Sequence, residues 1–159
     1  MTNRVSGIEG VEIRELLRFS DDRGWLTELF RSDELPSKLL PEMAYLSMTK
    51  PGVSRGPHEH RDQSDLIIFM GNSRFRLYLW DNRPKSGTFK THERFESEPG
   101  KTVAVRIPPG VVHGYKNIGD SEGLIINCPN GLYKGKRRSG EVDEIRHEED
   151  SDSEFKIVD

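Results

Sequence analysis

Histidine is the residue type best suited to chemistry near neutral pH, because an unperturbed imidazole changes charge between about pH 5 and 8. Three of the five histidines fall where strand-forming residues meet turns. His58 and His60 stand in Arg55-Gly56-Pro57-His58-Glu59-His60, and His113 follows the rigid turn Pro108-Pro109-Gly110. Side chains alternate along an extended strand, so His58 and His60 share a face and Glu59 points away from them. Two rings on one face, joined by a third from a second segment, form a set able to pass protons. His92 and His147 lack such a setting and read as surface residues.

Holding those rings requires short extended segments. Eight runs are rich in β-branched or aromatic residues and bounded by turn formers: Val11–Phe19, Trp25–Phe30, Ala44–Thr49, Asp65–Met70, Arg74–Trp80, Thr88–Phe95, Thr102–Ile107 and Gly123–Asn127. Strict alternation in Arg74–Trp80 puts Phe75, Leu77 and Leu79 on one face and Arg74, Arg76, Tyr78 and Trp80 on the other. Turn chemistry recurs at Asp22-Arg23-Gly24, Pro51-Gly52, Gly71-Asn72, Asp81-Asn82-Arg83-Pro84, Pro99-Gly100 and Pro108-Pro109-Gly110. One short helix is expected over Ser32–Leu40, ended by Pro41. The pattern predicts an all-β barrel or sandwich with short helical segments.

Composition narrows the function. A chain of 159 residues fits one domain, at about 100–200 residues each, with positions 134–159 a charged extension expected to dock on the barrel through Phe155-Lys156-Ile157-Val158. Its 24 basic and 27 acidic residues, net −3, provide no broad cationic surface for nucleic acid or an anionic membrane. Cys128 is the single cysteine and no run is long and apolar enough to span a bilayer, so a reducing, cytoplasmic setting is expected.

The two histidine segments resemble the paired motifs of the cupin superfamily. The first runs Gly52…His58-Glu59-His60…Asp65…Gly71, with Asp65 where Glu is usual; the second runs Gly100…Pro108-Pro109-Gly110…His113…Asn117. A narrower resemblance, to the dTDP-4-dehydrorhamnose 3,5-epimerase family of nucleotide-sugar cupins, rests on four pieces. They are Asp22-Arg23-Gly24-Trp25-Leu26-Thr27-Glu28, Arg55-Gly56-Pro57-His58, Asp81-Asn82-Arg83-Pro84-Lys85-Ser86-Gly87-Thr88-Phe89 and Pro108-Pro109-Gly110-Val111-Val112-His113-Gly114-Tyr115.

That resemblance implies a cupin jelly-roll barrel, a homodimer and a nucleotide-linked sugar substrate, with neither cofactor nor metal. It implies His58 as the base that removes a proton beside a ketone, Tyr133 as the opposing acid with Tyr115 as its substitute, and His113 as donor to the enolate oxygen. Arg23 and Arg55 would hold the pyrophosphate and Glu28 the nucleotide or its sugar, with His60 and Asp65 also facing substrate. The sequence departs from the family at points that matter. A family lysine that steadies the enolate falls at or beside Asp65, and Tyr45-Leu46-Ser47-Met48-Thr49 replaces a Gln-x-Asn-x-Ser segment. The aspartate that orients the base is Asp143, Asp150 or Asp152. Arg55-Gly56-Pro57-His58-Glu59-His60 also resembles sugar 3,4-ketoisomerases, and His58, His60, Asp65 and His113 are the residue types with which cupins bind metals. A sugar-binding module without turnover is the remaining reading.

Overall fold

The computed structural model describes residues 2–158, with side chains from Arg4 onward. Its strands are β1 Thr2–Val5, β2 Glu12–Glu15, β3 Phe19–Asp21, β4 Gly24–Leu26, β5 Tyr45–Thr49, β6 Ser54–Glu59 and β7 Asp65–Met70, followed by β8 Phe75–Asp81, β9 His92–Glu96, β10 Val103–Ile107, β11 Val111–Asn117, β12 Gly123–Asn127 and β13 Ile145–Arg146. One sheet has the order β1-β2-β10-β7-β12-β5 and the other β13-β6-β11-β8-β9, with β3 and β4 paired apart from both. All pairings are antiparallel.

Alternation decides which side chains fill the space between the sheets. Ile67 and Phe69 of β7 meet Phe75, Leu77 and Leu79 of β8 in one buried cluster with Val103, Val105, Val111, Tyr115 and Ile125. Asp65 shares the parity of Ile67 and Phe69, and His113 that of Val111 and Tyr115, so both project toward the barrel interior. Leu66, Ile68 and Ile126 face the other way, where Leu16 and Leu29 pack over them with Ala104 and Cys128. The outward face of β8 is covered too: the Tyr78 hydroxyl donates to the Val158 carbonyl at 2.7 Å and Phe155 lies against Trp80.

The structure differs from the sequence reading in the helix and in several strands. No helix spans Ser32–Leu40; a single 3-10 turn, Ser37–Leu39, stands there, because Pro36 in mid-segment lacks the donor an α-helix needs. β6 and β11, the strands that carry His58 and His113, were not among the expected runs, since Gly56, Pro57 and Gly114 interrupt their apolar pattern. The expected Trp25–Phe30 and Thr88–Phe95 runs shorten to Gly24–Leu26 and His92–Glu96.

A clasp sets where β11 begins. Buried Asp81 accepts from Arg83 Nε at 2.7 Å and from the Ser86 and Thr88 hydroxyls, each at 2.6 Å. Burial alone would raise its carboxyl, yet these donors hold it well below the usual carboxylate range. Arg83, fixed in this way, lies against Gly110, whose φ is +73° and whose added Cβ would fall 2.6 Å from Arg83 Cγ. The Gly110 amide donates to the His60 carbonyl at 2.9 Å, so the turn before His113 is tied to the loop bearing His60. Gly110→Ala is therefore expected to destabilise the protein by about 1–3 kcal/mol, from backbone strain plus displacement of Arg83. Urea unfolding checks this, and a midpoint equal to wild type would refute the clasp.

Candidate active site at the barrel mouth

β6 and β11 run side by side with His58 opposite His113 in register, and this pairing brings the rings together. Their centroids lie 4.5 Å apart, with His60 5.5 Å from His58 and 6.0 Å from His113. The close approach depends on Gly56 at φ +77°, where a Cβ would meet the His113 carbonyl at 2.8 Å and His58 Nδ1 at 3.1 Å. Asp65, at the start of β7, reaches across from the other sheet. Its Oδ2 is 3.2 Å from His60 Nε2 and 3.3 Å from His113 Nε2. Gln63 Nε2 donates to Asp65 Oδ1 at 2.9 Å.

Residues late in the chain complete the site. β13 pairs with β6, placing Arg146 opposite His58 and Ile145 opposite Glu59. Asp143 accepts the backbone amides of Arg61, Asp62 and Gln63 at 2.8–2.9 Å, and its own carbonyl meets His60 Nδ1. Burial would raise the Asp143 carboxyl, and the three amides hold it below its usual range instead. The carboxylate nearest His58 is Glu144, whose Oε1 is 3.8 Å from Nδ1. Glu59 points away from the rings, as alternation requires, and its buried carboxylate accepts from Asn82 and contacts His147, each at 2.9 Å. His147 is thus half-buried in a pair rather than a surface residue.

The electrostatics are strongly coupled. Burial, reinforced by the nearby His113 and His60, pushes His58 down to about 2, so its ring is neutral near pH 7. Burial also opposes charge on His60, but Asp65 and the Asp143 carbonyl outweigh it and push His60 up to about 9. Asp65 would be raised by burial, yet His113 and His60 keep it well below the carboxylate range.

A cavity of about 710 Å³ opens above the rings, lined among others by Tyr45, His58, His60, Tyr133, Arg138 and Glu144. It adjoins a second space of about 420 Å³ that shares Tyr45, His58, Glu144 and Arg146 and adds Arg55 and Tyr115. Together they exceed the size of ordinary small-molecule sites. Of the residues the sequence singled out, His58, His60, Asp65, His113, Arg55 and Tyr133 are therefore brought to one place. Tyr133 is half exposed at the rim, whereas Tyr115 is buried among Phe69 and Phe75. Arg23 and Glu28 are not brought there within one chain. Arg23 sits on the isolated β3–β4 hairpin, its side chain 89% exposed and paired with Asp21. Glu28 borders a separate apolar pocket beside Leu29, Leu66 and Ala104, on the outer face of the six-stranded sheet.

Sequence reasoning missed Glu144, Arg146 and Tyr45. Burial pushes the Tyr45 hydroxyl up to about 12, and Asn127 donates to its oxygen at 2.8 Å. The signal for Tyr45 was its place in the segment that departs from the family pattern. No local signal marks Glu144, which depends on pairing between β13 and β6.

A family model described as dTDP-4-dehydrorhamnose 3,5-epimerase matches residues 6–146. The chain is 37% identical over 129 residues to the probable low-salt glycan biosynthesis epimerase Agl13 of Haloferax volcanii, covering 81% of this chain and 83% of that protein. It is 35% identical over 121 residues to the spore coat polysaccharide biosynthesis protein SpsL of Bacillus subtilis, covering 75% and 78%. Among solved structures it is similar to NovW, a 4-keto-6-deoxy sugar epimerase from Streptomyces spheroides, with a TM-score of 0.72, 26% identity and coverage of 84% and 69%. The cupin jelly roll expected from the sequence agrees with that likeness.

The three amides held by Asp143 give a direct check on how the late segment is anchored. Asp143→Ala leaves them unpaired and is expected to destabilise the protein by about 1–3 kcal/mol. It should also speed limited proteolysis between residues 134 and 150; digestion unchanged from wild type would count against this anchoring.

Proposed function

Because the chain belongs to the dTDP-4-dehydrorhamnose 3,5-epimerase family, we propose that its histidine-lined cavity inverts carbon beside the ketone of a nucleotide-linked 4-keto-6-deoxy sugar, in the making of a surface polysaccharide. The observation that supports this reading best is the placement of His58 on the cavity wall, with the Glu144 carboxylate 3.8 Å from its Nδ1. Its ring takes the proton from the carbon next to the carbonyl, and Glu144 favours the imidazolium that results. Tyr133, across the same cavity, returns a proton to the opposite face. His113 is assigned to the oxygen that becomes the enolate.

Arg55 borders the adjoining space, and Arg137, Arg138 and Arg146 border the larger one, so guanidinium groups are on hand for a pyrophosphate. His60 is held by Asp65, Gln63 and the Asp143 carbonyl, which leaves it unsuited to be the second proton shuttle of a ketoisomerase. For Arg23 and Glu28 to touch the nucleotide, a second copy must supply them. A homodimer fits this reading, and Phe19, Trp25 and Leu26 on the exposed hairpin offer apolar surface for it. Buried, unpaired Cys128 and a nucleotide-linked substrate are consistent with a cytoplasmic location.

The test is deuterium exchange by NMR in heavy water with a panel of nucleotide-linked 4-keto-6-deoxy sugars. The wild type is expected to incorporate deuterium beside the ketone and form the inverted sugar. His58→Ala should slow exchange by at least about 100-fold. Tyr133→Phe should keep exchange, because His58 can return the proton to the face it came from, but lose inversion. Undiminished exchange in His58→Ala would remove His58 from its role.

A further inference from the structure

Taking a proton from carbon beside a ketone turns the ketone oxygen into an enolate, and the wall of the site must offer that oxygen a hydrogen. Most polar hydrogens at the floor of the cavity are already engaged. His60 meets Asp65 through Nε2 and the Asp143 carbonyl through Nδ1, and its positive charge is matched to that carboxylate. Buried His113 faces the Val111 carbonyl at 3.0 Å with one ring nitrogen and Asp65 at 3.3 Å with the other. Arg146 is paired with Glu144 and Glu149.

Tyr45 is placed differently. It stands opposite Asn127 in the pairing of β5 with β12, and Asn127 in turn stands opposite Ile67 of β7. Residues opposite one another in an antiparallel ladder project to the same side, and Ile67 belongs to the cluster buried between the sheets, so Tyr45 is turned inward as well. The two spaces of the cavity share Tyr45, His58, Glu144 and Arg146, and these four mark their junction. Tyr45 comes to that junction from one sheet and His58 from the other. The buried Asn127 carboxamide donates to the Tyr45 oxygen at 2.8 Å, and among the described residues no group accepts the hydroxyl's own hydrogen. Burial, with Asp65 and Glu144 adding to it, pushes this hydroxyl up to about 12, so it keeps its hydrogen at neutral pH.

We propose that the Tyr45 hydroxyl is a further catalytic group, which donates a hydrogen bond to the ketone oxygen of the sugar and to the enolate that this oxygen becomes. The assignment rests on the epimerase reading. As His58 takes the proton, the electron pair of the carbon–hydrogen bond forms the carbon–carbon double bond and the carbonyl pair moves onto oxygen. The Tyr45 hydrogen stays on its own oxygen throughout, and its bond to substrate strengthens as charge gathers there. His113 can join it only by releasing Asp65, whereas Tyr45 gives up no existing bond. A neutral hydroxyl is also not drawn into an ion pair with Asp65 or Glu144, as a lysine in its place would be.

This role differs from that of Tyr133 in a measurable way. Support of the enolate serves removal of the proton as well as its return, while an acid serves the return alone. Tyr45→Phe is therefore compared with the wild type and Tyr133→Phe by NMR in heavy water at saturating sugar nucleotide, after circular dichroism has confirmed the fold. In Tyr45→Phe the kcat values for exchange and for inversion are expected to fall together, by about 100–1000-fold, with little change in KM. Calorimetry with dTDP alone should give the wild-type affinity. A raised KM at unchanged kcat, or weakened dTDP binding, would overturn the assignment and place Tyr45 on the nucleotide side. Exchange kept with inversion lost would overturn it in favour of an acid. Wild-type rates would remove Tyr45 from the chemistry and leave the epimerase reading intact, whereas no exchange by the wild type on any sugar would overturn that reading and the donor role with it.

Discussion

A carboxylate taken out of water must be given a positive partner, and in this protein that requirement falls on Asp65. Its place at the inner end of β7 is set by the same alternation that buries Ile67 and Phe69, so it cannot turn outward without moving the core. The two rings that meet it come from the opposite sheet and its flanking loop. Each is braced from behind by a backbone carbonyl. The ionic centre therefore joins the two layers of the barrel at the point where the cavity begins, and its geometry is inherited from strand register rather than from flexible side chains.

Around that centre, several devices serve to hold position. The Asp81 clasp fixes Arg83, Arg83 packs on Gly110, and the Gly110 amide meets the loop of His60. Gly56 leaves room for His58 and the His113 carbonyl to lie close. From the other side, Asp143 gathers three consecutive amides and so orders residues 61–63, including the Gln63 that steadies Asp65. Backbone contacts predominate, and they are harder to displace than pairs of long side chains on a surface.

How much of this was legible beforehand followed from how local each feature is. The β8 alternation predicted Phe75, Leu77 and Leu79 on the core face because a period of two is written in neighbouring residues. The pairing of His58 with His60 was legible for the same reason. β6 was not, since Gly56 and Pro57 erase its pattern while partners on both sides supply the ladder. The helix over Ser32–Leu40 was expected from its flanks, although Pro36 stands within it. Glu144 illustrates the opposite limit: nothing near it in the sequence ties it to His58, and a strand pairing with residues more than eighty positions away in the chain brings it there.

That pairing also has a place in time. Synthesis runs from the first residue to the last, so β6 and its histidine leave the ribosome well before β13 does. In the interval β6 is the rim of its sheet, with amides and carbonyls open to any other strand that passes. The two residues of β13 cover the His58–Glu59 end of that rim and bring Glu144 to His58 in one act, so a single late pairing both shields part of an open strand edge and completes the wall of the cavity.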